Sequence, residues 1–216
     1  MVLHPKENRK QTLGEEIANS ISHGAGFIGA VMAAPFLIFY AAQHGDAWTV
    51  AGVSVFISTA MALYLSSAVY HAVKAAPVKK LFRIIDHAAI FLLIAGTYTP
   101  FTLGILRGVW GWTLFGLIWS IALAGIIFKV VVGARYPKIS TALYLLMGWL
   151  AVIAVKPFWE AIPVEGLLWI AAGGLAYTLG VIFYALPQLR YAHFIWHLFV
   201  LAGTASHFIA VMYYSY

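Results

Sequence analysis

Seven apolar segments, each long enough to cross a bilayer, take up nearly all of this 216-residue chain. About 20 apolar residues cover the hydrocarbon core as a helix. The segments fall at roughly 17–42, 47–73, 84–106, 109–132, 139–155, 164–186 and 192–214. Only 9% of the residues are charged, against about 25% in a soluble domain, and the mean hydropathy is +0.90. The expectation is an all-α polytopic membrane protein, a bundle of seven transmembrane helices. Residues 1–216 form a single domain with a polar segment at 1–15. The first apolar run is too long for a signal peptide and shows no small-residue cleavage site, so it reads as an uncleaved first span.

Charge sets the expected orientation. Of the 13 Lys and Arg, all but Arg107 and Lys156 lie on alternate connections, around Lys6–Lys10, Lys74–Arg83, Lys129–Lys138 and Arg190. Basic loops mark the cytoplasmic side, which puts the N-terminus in the cytoplasm, the C-terminus outside and the chain in the plasma (inner) membrane. The same distribution removes nucleic acid as the partner that a net charge of +6 might suggest. The chain has no Cys, so it contains neither disulfides nor thiolate metal ligands, and any metal site must use His, Asp or Glu.

Other residues fit a packed bundle. Gly24, Gly26, Gly29, Gly173, Gly174 and Gly180 are expected to let helices approach closely. Trp48, Trp110, Trp112, Trp159, Tyr213 and Tyr214 cluster near span ends as interfacial belts. Pro35 and Pro100 are expected to kink their helices.

Against this background the ionisable residues inside the spans stand out, because each costs several kcal/mol in lipid unless it is paired or bound. Ser67-x-x-x-His71 ends the second span, Asp86 opens the third in its first turn, and His193-x-x-x-His197 opens the seventh. The orientation puts His71, Asp86, His193 and His197 in the cytoplasmic leaflet, on three helices. Residues four apart share a helix face, so His193 and His197 can address one ion, and Ser67 lies one turn from His71. Three histidines and a carboxylate at one depth make a candidate zinc site. The first span adds a polar stripe, Glu16, Asn19, Ser20 and His23, within an arc of about 100°, which must face the bundle interior. Its polar groups form either an interhelical hydrogen-bond network or part of the site. Asp86 could instead cap the third helix or pair with Arg83. His87 points about 100° away from Asp86 and reads as structural. His207, ten residues beyond His197 and about 15 Å further out, is too distant to ligate the same ion. His4 and His44 lie in polar flanks.

These residues resemble the hemolysin III family, which is grouped with the progestin and adipoQ receptors and the alkaline ceramidases as seven-span membrane hydrolases. The resemblance covers essentially the whole chain. It rests on Glu16-Ile17-Ala18-Asn19-Ser20-Ile21-Ser22-His23-Gly24, on Ser67-Ala68-Val69-Tyr70-His71, on Asp86 through Gly96-Thr97-Tyr98-Thr99-Pro100, and on His193-Phe194-Ile195-Trp196-His197 through His207-Phe208. It implies Zn2+ held by His71, His193 and His197, with Asp86 holding a water on the metal and Ser67 beside it or touching substrate. Glu16, Asn19, Ser20 and His23 are candidates for the surrounding shell.

The expected function is a zinc-dependent hydrolase of a lipid amide or ester, with membrane lipid as substrate or ligand. The sequence leaves two alternatives standing: a receptor or homeostasis regulator with structural zinc, and a hemolysin-like pore acting in cytolysis. Ion transport needs ionisable groups along the full depth, and the outer halves offer only His207. The sequence does not fix the oligomeric state.

Overall fold

Polar residues at the segment ends decide where the helices begin. The Thr12 hydroxyl accepts from the Glu15 amide and the Glu15 carboxylate accepts from the Thr12 amide, a reciprocal cap on α1 (Leu13–His44). Asp46 caps α2 (Ala47–Ala72) by accepting from the amides of Trp48 and Thr49. Pro77 and Pro137, which have no amide hydrogen to leave unsatisfied, start α3 (Ala76–Leu103) and α5 (Pro137–Gly148). Between them lies α4 (Val109–Val132), stopped by Gly133 at φ 61°, a left-handed conformation that glycine adopts without strain. A 3-10 turn (Leu150–Ala154) leads into α6 (Val155–Ala161), followed by α7 (Val164–Tyr184) and α8 (Ala192–Tyr214). The computed structural model describes residues 9–133 and 135–216; His4 and Lys6 of the sequence reading lie outside them.

Seven helical segments are long and apolar enough to span a membrane, and the described residues contain no strand. The protein is an all-α, multi-pass integral membrane protein. Two expected boundaries need correction. The fifth span, Pro137–Ala161, is composite. The α-helix stops at Gly148, continues as the 3-10 turn Leu150–Ala154 and resumes at Val155, with Pro157, which lacks an amide hydrogen, in the first turn of the resumed helix, where that hydrogen would go unused. Tyr98 on α3 satisfies the break. Its hydroxyl lies 3.1 and 2.8 Å from the Met147 and Gly148 carbonyls and accepts from the Ala151 amide at 2.9 Å. The third helix starts at Ala76, eight residues before the expected 84. Hydropathy excludes Lys79, Lys80 and Arg83, but the backbone stays helical through them. Asp86 therefore lies in the third turn, not the first. It does not cap the helix, and no ion pair joins it to Arg83 among the described residues.

Six helices close a ring in the order α1, α2, α3, α5, α7, α8, with α8 returning to α1 and α4 packed outside on α3. Small residues set the registers. Gly52 lies against Pro100 and Gly96 against Thr59 between α2 and α3; Gly125 lies against Phe91 between α3 and α4; Gly173 and Gly203 lie against His207 and Tyr177 between α7 and α8. Of the six glycines singled out in the sequence, Gly26, Gly173 and Gly180 make close approaches. Gly174 has only ordinary contact with Trp149, and Gly24 and Gly29 face open space; the sequence does not say which face of a helix meets a neighbour. Pro35 and Pro100 both lie inside helices. Trp48, Trp110, Trp112, Trp159 and Tyr213 are exposed near span ends, and Met32, Phe36, Val131 and Leu146 are exposed on the outer surface.

Candidate metal centre

Register carries the polar residues to one level. The α2–α3 contacts at Gly52/Pro100 and Thr59/Gly96 run antiparallel, and continuing them by two turns sets Ser67 opposite Asp86. Between α1 and α2, the Ser20 hydroxyl donates to the Ala68 carbonyl at 2.9 Å and Glu16 meets His71. Helix α8 lies parallel to α1, with the His197 ring stacked on that of His23 at 3.6 Å between centroids. The start of α8 is pinned separately. Glu15, paired with Arg9, accepts from the amide of Tyr191, the left-handed residue that opens the helix two positions before His193.

The result is a cluster of three imidazoles. His71, His193 and His197 each offer a ring nitrogen, and these nitrogens all lie within 4.8 Å of one another, close enough to hold one metal ion. Their second nitrogens are engaged in a way that selects the first. Glu16 Oε2 lies 2.7 Å from His71 Nδ1, so a neutral His71 donates there and leaves Nε2 as an acceptor, buried and without a partner. His197 Nδ1 lies 3.2 Å from the Asn19 carbonyl and 3.1 Å from the Ser22 hydroxyl. Because the Ser22 hydroxyl already donates to Asn19, the carbonyl fixes the proton on Nδ1 and frees Nε2. A carboxylate or carbonyl behind each ligating imidazole is the usual support of a metal site.

The stripe on α1 faces inward, and its members divide the work. Glu16 and Asn19 orient imidazoles, Ser20 ties α1 to α2, and His23 lies buried with neither ring nitrogen bonded. Sequence reasoning missed Lys79, whose ammonium lies 3.0 Å from the other oxygen of Glu16 and donates to the Tyr70 carbonyl. The early start of α3 is what brings it there.

A cavity opens beside the cluster, within the ring of helices. Ser67, Asp86, His193, His197 and His23 line one end, while His71 stands behind them against α1. Ser67 Oγ is buried and has no partner among the described residues. Leu93, Ile94, Trp149 and Val200 line the middle, and Tyr177 and His207 the far end. His207 Nε2 donates to the Ile170 carbonyl at 3.0 Å. His87, read as structural, also lines the cavity. The contributions of α5 and α7 had no sequence signal, because Tyr144, Tyr177 and Trp149 are ordinary in a membrane span.

The model of the family described as haemolysin-III related matches residues 11–208. The chain belongs to this family. It is 45% identical over 203 residues to the Hemolysin-3 homolog of Bacillus subtilis (strain 168), covering 94% of this chain and 95% of that protein. It is 47% identical over 209 residues to Hemolysin-3 of Bacillus cereus, covering 94% and 93%. The human Monocyte to macrophage differentiation factor is 30% identical over 220 residues, covering 96% of this chain and 87% of that protein. Both segments that supply the three histidines lie inside the matched region.

Proposed function

We propose that the protein is a zinc-dependent hydrolase that cleaves an amide or ester in a membrane lipid. The observation that carries this reading is the paired wiring of His71 and His197, each with Nδ1 held from behind so that Nε2 is left as the acceptor, in a cluster with His193 whose ring nitrogens lie within 4.8 Å of one another. An all-imidazole set without thiolates suits zinc, and three protein ligands leave a fourth position open, as catalytic rather than structural sites do. When bound, zinc supplies a Lewis acid and a water whose pKa falls to about 7.

The chain's own groups do the rest. Asp86 is the one carboxylate that lines the cavity among the described residues; it orients a water and takes its proton on a carboxylate oxygen. The unpartnered Ser67 hydroxyl donates to the carbonyl oxygen as charge develops there. Glu16 holds His71 in one tautomer, and Lys79 holds Glu16. The lining beyond the polar end is overwhelmingly apolar, which suits an acyl chain and not the continuous polar path a conducting pore needs. With the N-terminus cytoplasmic, as the basic connections direct, the polar end lies at the depth of inner-leaflet lipid carbonyls.

The test is Asp86→Asn protein incubated with ceramide-like lipids and phospholipids, with products read by mass spectrometry. The variant is expected to keep its metal and lose turnover. Equal turnover by wild type and variant, or no product from any lipid with metal-loaded wild type, overturns the hydrolase reading.

A further inference from the structure

Lys129 is the basic residue of the last turn of α4, where a cation complements the helix's C-terminal dipole. It is only 1% exposed, yet its ammonium has no specific acceptor, neither a hydrogen bond nor an ion pair, among the described residues. A buried lysine is rare unless paired, and leaving the charge without a partner is costly. The register of α4 on α3 says what surrounds it. Gly125 packs on Phe91 and Trp119 Nε1 donates to Thr99. One turn further along this antiparallel pair, Lys129 comes level with His87, and Arg83 lies one turn beyond. His87 lines the cavity, and its Nδ1 is buried without a partner. Its own carbonyl is taken by the Tyr144 hydroxyl at 2.8 Å. Asp86, the adjacent carboxylate, faces the Ser67 side, about 100° round the helix. Arg83 is exposed and has no acid partner among the described residues.

Two cations and an unpartnered imidazole thus come level on α3 and α4 beside the polar end of the cavity, His87 alone of the three in its wall, with no acid bonded to them among the described residues. We infer that Lys129, Arg83 and His87 form an anion site that holds the phosphate of a membrane lipid whose acyl chain occupies the cavity. The inference rests on the reading that the cavity admits a lipid, and it narrows the substrate class from lipids in general to phosphate-bearing ones. A phosphate presents several acceptor oxygens to these donors, and its charge supplies the partner that Lys129 lacks.

Binding to the full-length protein in detergent tests this without turnover. The probes are dioleoylphosphatidylglycerol, dioleoylglycerol with the same tails and no phosphate, and inorganic phosphate alone. Wild type is expected to bind the phospholipid about tenfold or more tightly than either of the others, the scale of a charge-assisted contact. Lys129→Met should lose that preference while unfolding at or above the wild-type temperature without lipid, because it removes an unpaired buried charge. Lys129→Arg should keep the preference. His193→Ala should also keep it, so failure of the metal reading leaves this site standing. Unchanged phospholipid affinity in Lys129→Met, equal affinity for dioleoylglycerol, equal affinity for inorganic phosphate, or loss of the preference in His193→Ala would each overturn the proposal.

Discussion

Replacing Glu16 by Leu removes the acceptor behind His71 and leaves the imidazole in place. Glu16 Oε2 is 2.7 Å from His71 Nδ1, and Oε1 is 3.0 Å from Lys79, so the carboxylate fixes the His71 tautomer and increases the basicity of Nε2. Loss of such a partner typically lowers metal affinity about 10- to 100-fold, or about 1.4–2.7 kcal/mol. Glu16→Gln keeps an acceptor oxygen and drops the charge, so its loss should fall at the lower end, about tenfold or less. Lys79→Met leaves the Glu16–His71 contact intact and should shift affinity by about threefold or less. The assay is competition for zinc with a chromophoric chelator in detergent, alongside thermal unfolding of the metal-free protein. Glu16→Leu should also lower apo stability by about 1–3 kcal/mol, because His71 Nδ1 loses its partner in a buried position. Zinc affinity of Glu16→Leu within twofold of wild type, in a protein that still unfolds cooperatively, would refute the wiring argument.

Other expectations concern the frame. Tyr98→Phe removes the hydroxyl whose one hydrogen the Met147 and Gly148 carbonyls share and whose oxygen accepts from the Ala151 amide, and should cost about 1–3 kcal/mol in thermal unfolding; an unchanged midpoint contradicts the role of Tyr98 there. Gly96→Ala would place a Cβ 2.0 Å from Thr59 Oγ1, whereas Gly29→Ala meets nothing within 4 Å. The first should lose about 1–3 kcal/mol by overpacking and the second stay within about 0.5 kcal/mol; equal effects would contradict the α2–α3 register. Asp46 pairs with Arg107 at 2.5 Å, and the Arg107 guanidinium with the Thr49 amide holds its carboxyl at about 2. That lies below the roughly 3.9 of an unfolded Asp, so its stabilisation is full above the unfolded value and is lost as pH falls through about 2. The difference in unfolding temperature between wild type and Asp46→Asn should therefore shrink between pH 5 and pH 2; a difference independent of pH would contradict it.

The bundle was legible because hydropathy over 20 residues reports the solvent, and in lipid that solvent dictates helices. The elements it misjudged are those where hydrogen bonding and hydropathy part company. The start of α3 carries Lys79, Lys80 and Arg83 on a helical backbone, and the fifth span breaks before Pro157 with its carbonyls satisfied from another helix. At the candidate site, helical spacing and depth drew attention to Ser67, His71, Asp86, His193 and His197, and to the stripe of Glu16, Asn19, Ser20 and His23. Spacing within one helix cannot assign partners across helices. The Glu16–His71 bond, the Asn19 carbonyl behind His197 and the arrival of Lys79 depend on packing angles that no single segment encodes. The cavity was invisible for the same reason, since the tyrosines and Trp149 that line it on α5 and α7 are indistinguishable in sequence from residues that face lipid.

The most direct test of the central claim is the metal content of protein purified without added metal or chelator. Wild type should carry about one zinc per chain. His71→Ala, His193→Ala and His197→Ala should each lose it, while His87→Ala and His207→Ala should keep it. Wild-type protein that contains no metal and takes up none on titration, or a His193→Ala protein that retains the full complement, contradicts the site.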